Sequence, residues 1–376
     1  MLKTPWKSYF HSTKDIGSDF DIPLPCIFKA ITGAQNATND NKLLLATGRD
    51  SLYWILKALN ISKEDIVLLP SYLCGEVLKP FVDLDLNVQF YSIHNNFEID
   101  EYDLALKLTS AVRILLLINY WGFPLNLPGS CRDIKNSNTI VLEDNTHSLL
   151  SSSTDNTTGD RIRFASYRKL LPIIDGAEVS WDHDIDQVLT PIQIKTSILH
   201  RTSICIRIMA AILKRIWLVS HGLYPKITFR SLFQLSEKLI STYYKPAPMS
   251  LISQKIYNSL NLEEIISIRR SNFEHLDEEL AVIDEIQPLF RELPVGVCPL
   301  GYPILVNNRD GLIRHLIRNH IYPPIHWNIP SDIDKKRFSQ SWQISKNILT
   351  LPTDQRYCHA DMTRMASEIK RFFREV

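Results

Sequence analysis

Between Ile66 and Leu142 the chain repeats one pattern: a short unbroken apolar run, a turn-rich or helical stretch, then another run. The runs are Ile66–Leu69, Val88–Tyr91, Ile114–Ile118 and Ile140–Leu142. Short continuous runs rich in β-branched residues predict strands buried on both faces. Strands alternating with helical stretches predict an α/β domain with a mainly parallel sheet. Upstream, Leu52, Ile55, Leu56 and Leu59 recur at helical spacing and predict a helix over Asp50–Asn60. Residues 185–250 lack strand alternation and are apolar and basic together. Residues 251–290 read as one long helix through Ile265, Ile266, Ile268, Leu276 and Leu280. A last α/β part follows, with a strand at Tyr302–Val306, a helix at Leu312–Asn319, a short strand near His320–Tyr322 and a terminal helix at Ala360–Phe373. The expected division is an arm at 1–40, broken by Pro23 and Pro25, a large domain at 41–250 with a helical segment at 185–250, and a small C-terminal domain at 251–376.

Composition narrows the class. The 376 residues are 45% hydrophobic and 22% charged, with net charge +1. That is the balance of a globular protein large enough to bury a core without disulfides or metal. No global field selects nucleic acid. Cys26, Cys74, Cys131, Cys205, Cys298 and Cys358 form no C-x-x-C pair, and no Cys/His cluster has zinc spacing, so no metal is expected. The thiols read as inert in a reducing compartment. Met1–Phe10 has no apolar signal-peptide core and no segment reads as a spanning helix, which points to the cytoplasm.

In sheets of this kind ligands sit beyond the carboxyl ends of the strands, and four segments there carry chemistry. In Val141–His147 an apolar strand runs directly into Glu143 and Asp144. Asp144 there suits a charge-assisted bond to a cationic ring nitrogen, or an ordinary N-cap. In Phe164–Gly176, Lys169 follows an apolar, Ser-containing segment. A partly desolvated lysine amine can attack a carbonyl and form a Schiff base; the plainer reading is a surface lysine beside Arg168. Ser166 is a candidate phosphate ligand. Ala46–Leu52 opens a helix with small and polar residues. Free amides at such a start bind anions, and Gly48 lets the backbone approach closely; the plainer reading is a capped helix. Leu68–Cys74 is a strand ending in a turn, whose Tyr72 or Cys74 could cover one face of a flat ligand. His326, beside Trp327, either touches substrate or packs on its aromatic neighbour. Segment 195–219 mixes Ile and Leu with Lys195, Arg201, Arg207, Lys214 and Arg215. It suits either an anionic membrane surface or packing at a dimer interface or under a lid. The scatter of its charges favours packing.

Taken in order, these segments resemble the DegT/DnrJ/EryC1/StrS family of pyridoxal-phosphate (PLP) dependent, mostly sugar-modifying aminotransferases. The resemblance runs from about Leu43 to Phe373. It rests on Thr47-Gly48-Arg49, Leu69-Pro70-Ser71-Tyr72, Tyr120-Trp121-Gly122, Glu143-Asp144 with His147, Gly159-Asp160, Ser166-Tyr167-Arg168-Lys169, Asp175-Gly176, Arg269-Arg270-Ser271-Asn272, Pro324-Ile325-His326-Trp327 and Leu351–Arg356. It implies the aspartate-aminotransferase fold: a large PLP-binding α/β domain with a mainly parallel seven-stranded sheet flanked by helices, plus a smaller C-terminal α/β domain. It implies that Lys169 forms the Schiff base and shuttles the proton, that Asp144 pairs with the pyridinium nitrogen, and that His147 stands near the cofactor's 3-oxygen. It further implies that Ser166 with the backbone of Gly48 and Arg49 holds the phosphate, with Cys74 near the cofactor. Arg269, Arg270 and Asn272 fall on the substrate side or the dimer interface, His326 is a further substrate-binding candidate, and members are usually homodimers. The reaction implied is transfer of an amino group, from glutamate, to a keto group on a nucleotide-linked sugar. The dehydratase branch of the family replaces the lysine by His, and Lys169 argues against it. This chain departs from the family in having Gly176-Ala177 for Gly-Gly, Arg49 for Thr, three residues rather than five from Ser166 to Lys169, and no evident stacking aromatic near Cys74. The competing class is a non-catalytic protein that binds a partner or a membrane surface.

Overall fold

The structure, a computed structural model, describes residues 15–21, 41–131, 138–152, 161–220, 225–241 and 246–375. Most of the lead-in 1–40, with Cys26, and also Gly159-Asp160 and His221 lie outside the described residues. In chain order the elements begin β1 (Ile16–Gly17), β2 (Lys42–Leu45), α1 (Gly48–Ala58), β3 (Ile66–Pro70), α2 (Gly75–Asp83), β4 (Asn87–Tyr91), α3 (Glu101–Lys107), β5 (Val112–Ile118), β6 (Ile140–Asp144), β7 (Arg161–Ser166) and β8 (Ala177–Trp181). There follow α4 (Ile198–Val219), α5 (Ile227–Ser241), α6 (Leu251–Ser259), α7 (Leu262–Leu280), β9 (Ile286–Pro288), β10 (Tyr302–Val306), α8 (Arg309–Arg318), β11 (Ile321–Tyr322), α9 (Ser339–Asn347), β12 (Ile348–Leu351) and α10 (His359–Glu375).

Seven strands form the expected mainly parallel sheet, in the order β2-β8-β7-β6-β5-β3-β4. β3 runs parallel to both β4 and β5, and β5 runs parallel to β6, while β2 is antiparallel to β8. The apolar runs explain the parallel half. Leu68, Leu69, Ile114, Leu115 and Leu116 are all buried, so neither face of these strands meets water. Register aligns Leu68 with Leu115, and Ile118 with Asp144. The segments leaving β3, β5 and β6 therefore emerge at one edge of the sheet. They are Ser71–Leu73, Asn119–Gly122 and Asn145–His147.

The chain forms two compact units. The first holds the described residues of Asp19–Asn60 and Arg163–Asn261. In it α4 and α5 make an antiparallel hairpin, closely packed where Ser203 Oγ meets Ser236 Oγ at 3.0 Å. Trp217 lies against Phe229 toward the other end. The second unit holds the described residues of Ser12–Ser18, Ile61–Ile162 and Leu262–Val376. Besides β3 to β6 it contains a three-stranded antiparallel sheet, β12-β10-β9, and the parallel pair β1-β11.

The expectation of one helix over 251–290 is corrected. The backbone turns extended at Leu260 (φ −75°, ψ 145°), so α6 and α7 are separate helices, and the segment ends in β9. Ile256 and Leu260 are buried within the first unit, whereas Ile265, Phe273 and Leu276 are buried within the second. One straight helix would have to serve both cores with a single apolar stripe. Helices α2, α3 and α9 were not resolved from the pattern because each is no longer than nine residues, below what apolar periodicity identifies.

Glu143 on β6 pairs with Arg161 on β7, their side chains only 8% and 5% exposed. Replacing Glu143 by Ala leaves a buried guanidinium without this carboxylate. The unfolding free energy measured in urea is expected to drop by about 3–5 kcal/mol. A drop below about 1 kcal/mol would mean that the pair contributes no more than a surface ion pair.

Candidate active site

In the first unit the start of α1 and the end of β7 come together. Thr47 caps the helix: its Oγ1 accepts the Asp50 N–H at 3.1 Å and donates to Asp50 Oδ2 at 2.7 Å. A Cβ placed on Gly48 would lie 3.6 Å from the Ser166 Cβ. The Ser166 hydroxyl, half-buried, has no hydrogen-bond partner among the described residues. The first turn of a helix carries N–H groups that no preceding turn can accept. An unsatisfied hydroxyl beside such a turn is a cradle for an anion. Gly176 closes the other side of this loop. Its φ is +136°, and a methyl there would come within 2.7 Å of Met249 Cε. Its N–H donates to Ala46 O, and its carbonyl accepts from Tyr167 N–H. Ala177, the departure from Gly-Gly, has its methyl buried in β8.

Arg168 and Lys169 lie side by side on the turn after β7 and face opposite ways. Arg168 turns inward to Glu237 on α5, which also takes Arg207 from α4. Burial would raise the Glu237 carboxyl, yet the two guanidinium groups hold it down at about 2. Lys169 is exposed, and its amine has no partner among the described residues. Asp175 is buried and accepts from the Ser250 N–H at 3.0 Å and from the hydroxyls of Ser250 and Ser253. It thereby anchors the loop before Gly176 to α6. His200 Nε2 lies 3.5 Å from its Oδ2.

In the second unit Asp144 ends β6, 4% exposed, and its Oδ1 accepts the Thr146 N–H at 2.9 Å. The capping alternative is thus partly realised, in an Asx turn that still leaves the carboxylate at the strand's carboxyl end. His147 is buried among aromatics. It stacks on Trp327 at 5.0 Å, meets His326 edge-on at 5.1 Å, and its Nδ1 accepts the Trp121 N–H at 3.4 Å. An accepting Nδ1 makes the neutral ring an Nε2–H donor. His326 is buried in the same cluster, with its Nδ1 3.0 Å from Thr350 Oγ1, which also accepts from Trp121 Nε1. Tyr72 is fully buried; its hydroxyl donates to the His326 carbonyl and accepts the Trp327 N–H. Cys74 is half-buried at the N-cap of α2 and makes no capping bond.

The remaining candidates are tied to backbone. Arg269 is 1% exposed; its Nε donates to Gln355 Oε1 at 2.7 Å and its Nη1 to the carbonyls of Pro299 and Leu300. Arg270 donates to the carbonyls of Leu293, Pro294 and Val297. Asn272 donates to the Tyr357 carbonyl at 3.0 Å. These three residues pin α7 to the segments that follow it.

Gly48, Arg49, Ser166 and Lys169 thus gather in the first unit, and Asp144, His147 and His326 in the second. Sequence reasoning missed the parts played by Trp121 and Thr350. The signal for Trp121 is the glycine after it: Gly122 has φ +100°, and a Cβ there would lie 2.2 Å from the Cys298 carbonyl oxygen. Thr350 lies inside β12 and carries no signal of its own.

No family model matches the chain, and no curated protein matches it either. Solved structures do. The putative sugar aminotransferase Spr1654 from Streptococcus pneumoniae, in its PLP form, is 12% identical with a TM-score of 0.66, covering 98% of this chain and 99% of its own. The sugar aminotransferase CalS13 from Micromonospora echinospora is 15% identical with a TM-score of 0.66, covering 95% and 99%. DesI, solved with its TDP-sugar product, is 13% identical with a TM-score of 0.67, covering 96% and 93%. The chain therefore has the fold of these sugar aminotransferases along nearly its whole length.

Asp50, 7% exposed, has its pKa raised to about 6. Burial is the main cause; the Thr47 hydroxyl and the His200 and Arg49 charges oppose it. Between about pH 4 and about pH 6 the folded chain holds a proton that the unfolded chain has released, so stability falls as pH rises through that window. Asp50→Asn keeps an acceptor for Thr47 and removes the charge. It is expected to gain up to about 3 kcal/mol over the parent near pH 8 and nothing near pH 4. Equal differences at both pH values in denaturant titrations would contradict the shift.

Proposed function

We propose that this chain is a PLP-dependent aminotransferase that moves an amino group from an amino-acid donor, glutamate by preference, to a keto group on a nucleotide-linked sugar. The observation that carries the reading is the pairing of opposite fates on the turn after β7. Arg168 is bound inward by Glu237, while Lys169 keeps a partnerless amine at the carboxyl end of its strand. DesI, whose fold the chain shares, was solved with a TDP-sugar product, which supports the sugar.

The residues present suit the cofactor. The Ser166 hydroxyl and the first-turn amides of Gly48 and Arg49 suit its phosphate. The buried Asp144 carboxylate, an acceptor only when ionised, suits a protonated ring nitrogen. When bound, PLP supplies the electron sink for carbanion chemistry. Lys169 is the proposed covalent anchor through Nζ; once released, it would carry the donor's α-proton to the cofactor in the first half-reaction and a proton from the cofactor to the acceptor carbon in the second. Its amine must be neutral to do so. Asp144 would keep the ring nitrogen charged. His147, an Nε2–H donor locked by Trp121, Trp327 and His326, is the proposed donor to the 3-oxygen. Arg269, Arg270 and Asn272 have a positioning role, holding the segments around α7. A homodimer, as the family resemblance implies, is the proposed working form, and the cytoplasm its proposed compartment.

The test is the absorbance spectrum of the purified chain with PLP, before and after borohydride, followed by peptide mapping. A visible band that borohydride removes, with the label on Lys169, is expected. Lys169→Ala should lose the band and show no multiple turnover. A missing band, or label on another lysine, would favour a binding protein that has kept the fold.

A further inference from the structure

Helix α4 is built inside out. Three of its four Lys and Arg side chains turn into the first unit: Arg207 reaches Glu237, Lys214 donates to the Asp19 carbonyl, and Arg215 lies 3.3 Å from Asp21, while Arg201 stays exposed. Arg207 and Lys214 are buried along with the small residues Ser203, Ala210 and Ala211. The opposite face is apolar and exposed. Ile198 is 79%, Met209 47% and Ile216 43% exposed, and Leu199 and Cys205 lie exposed between them. At 3.6 residues per turn these five fall within about a third of the helix circumference. The face runs the length of the 22-residue helix, about 33 Å, and includes one exposed polar residue, Thr202, but no charged one. Soluble helices place their charges the other way round, and an exposed apolar stripe of this length marks an interaction surface.

The charge around the stripe selects its occupant. From 188 to 262 the chain holds ten Lys and Arg but one acid, Glu237, whereas the whole chain is nearly neutral at +1. Glu237, its side chain 45% exposed, is bridged by Arg168 and Arg207, so it adds no net negative charge to this surface. Lys195, Arg201 and Arg230 are exposed, and their charges have no partner among the described residues. A second copy meeting this face across a two-fold axis would bring the same basic rim against itself. One helix stripe also buries far less than the roughly 800 Å² per partner of a stable interface. An anionic lipid surface offers apolar depth and opposite charge together. We propose that the outer face of α4, with Lys195, Arg201 and Arg230 around it, rests on an anionic phospholipid membrane. Among the described residues no helix is long and apolar enough to cross one, so the attachment is to one leaflet. This inference does not depend on the proposed reaction.

The test is co-flotation of the full chain with vesicles of phosphatidylcholine alone, or of phosphatidylcholine with phosphatidylglycerol, at low and high salt. The parent should float with the anionic vesicles at low salt and at least about tenfold less with neutral vesicles or at high salt. Met209→Glu and Arg201→Glu, both at exposed positions, should each weaken flotation by about tenfold or more with unchanged circular dichroism. Failure of the parent to float, or flotation unchanged in both variants, overturns the proposal. So does a dimer, seen by sedimentation, that Met209→Glu alone dissociates, which would assign the face to a second copy.

Discussion

The single acid of the segment from 188 to 262, Glu237, organises the first unit. Two guanidinium groups converge on it: Arg168 from the turn after β7 and Arg207 from α4. Desolvating two cations in one place is tolerable only with an anion between them, and no other acid in the segment can supply it. Two outward-facing features follow from that inward pull. With Arg168 drawn in, the next residue on the short turn faces out, which is Lys169. With Arg207 and Lys214 on the buried side of α4, the residues half a turn away, Met209 and Ile216 among them, are left to solvent. The candidate reactive amine and the apolar stripe thus share one electrostatic origin.

The second unit solves a different problem, which is to hold aromatic rings and a carboxylate at the carboxyl edge of parallel strands. The strands supply position: Ile118 and Asp144 are in register, so Tyr120, Trp121 and His147 leave the sheet close together. The second layer supplies orientation. Tyr72 fastens the His326-Trp327 backbone at two points, and Thr350 joins Trp121 to His326. Buried polar atoms satisfied in this way hold rings in one orientation, since breaking any bond would strand a donor in an apolar surround. His147 has its ring fixed on two faces and one nitrogen occupied, leaving a single defined donor.

Much of the fold was legible from local pattern. The strands at Ile66, Val88, Ile114 and Ile140 and the terminal helix all formed as expected, because a strand buried on both faces must be apolar throughout and a surface helix must be apolar at intervals of three and four. Lys169, Asp144 and Ser166 stood out because each follows a strand end, where a parallel sheet binds ligands. The break between α6 and α7 was not legible, since Ile256 and Ile265 are equally apolar and only the packed structure shows that they serve different cores. Arg269 and Asn272 look alike in sequence whether they face a substrate or a carbonyl, and tertiary contact alone assigned them to the backbone. The orientation of α4 was not legible for a related reason. The scatter of its charges favoured packing at a dimer interface or under a lid, and only the packed structure shows Arg207 and Lys214 on the buried side while Arg201 stays exposed. The sequence by itself determined where strands and helices form and which residues end them, because those depend on neighbours within one or two turns. Only the tertiary structure decided which way each charge points, because that depends on whether an opposite charge, distant along the chain, is folded against it.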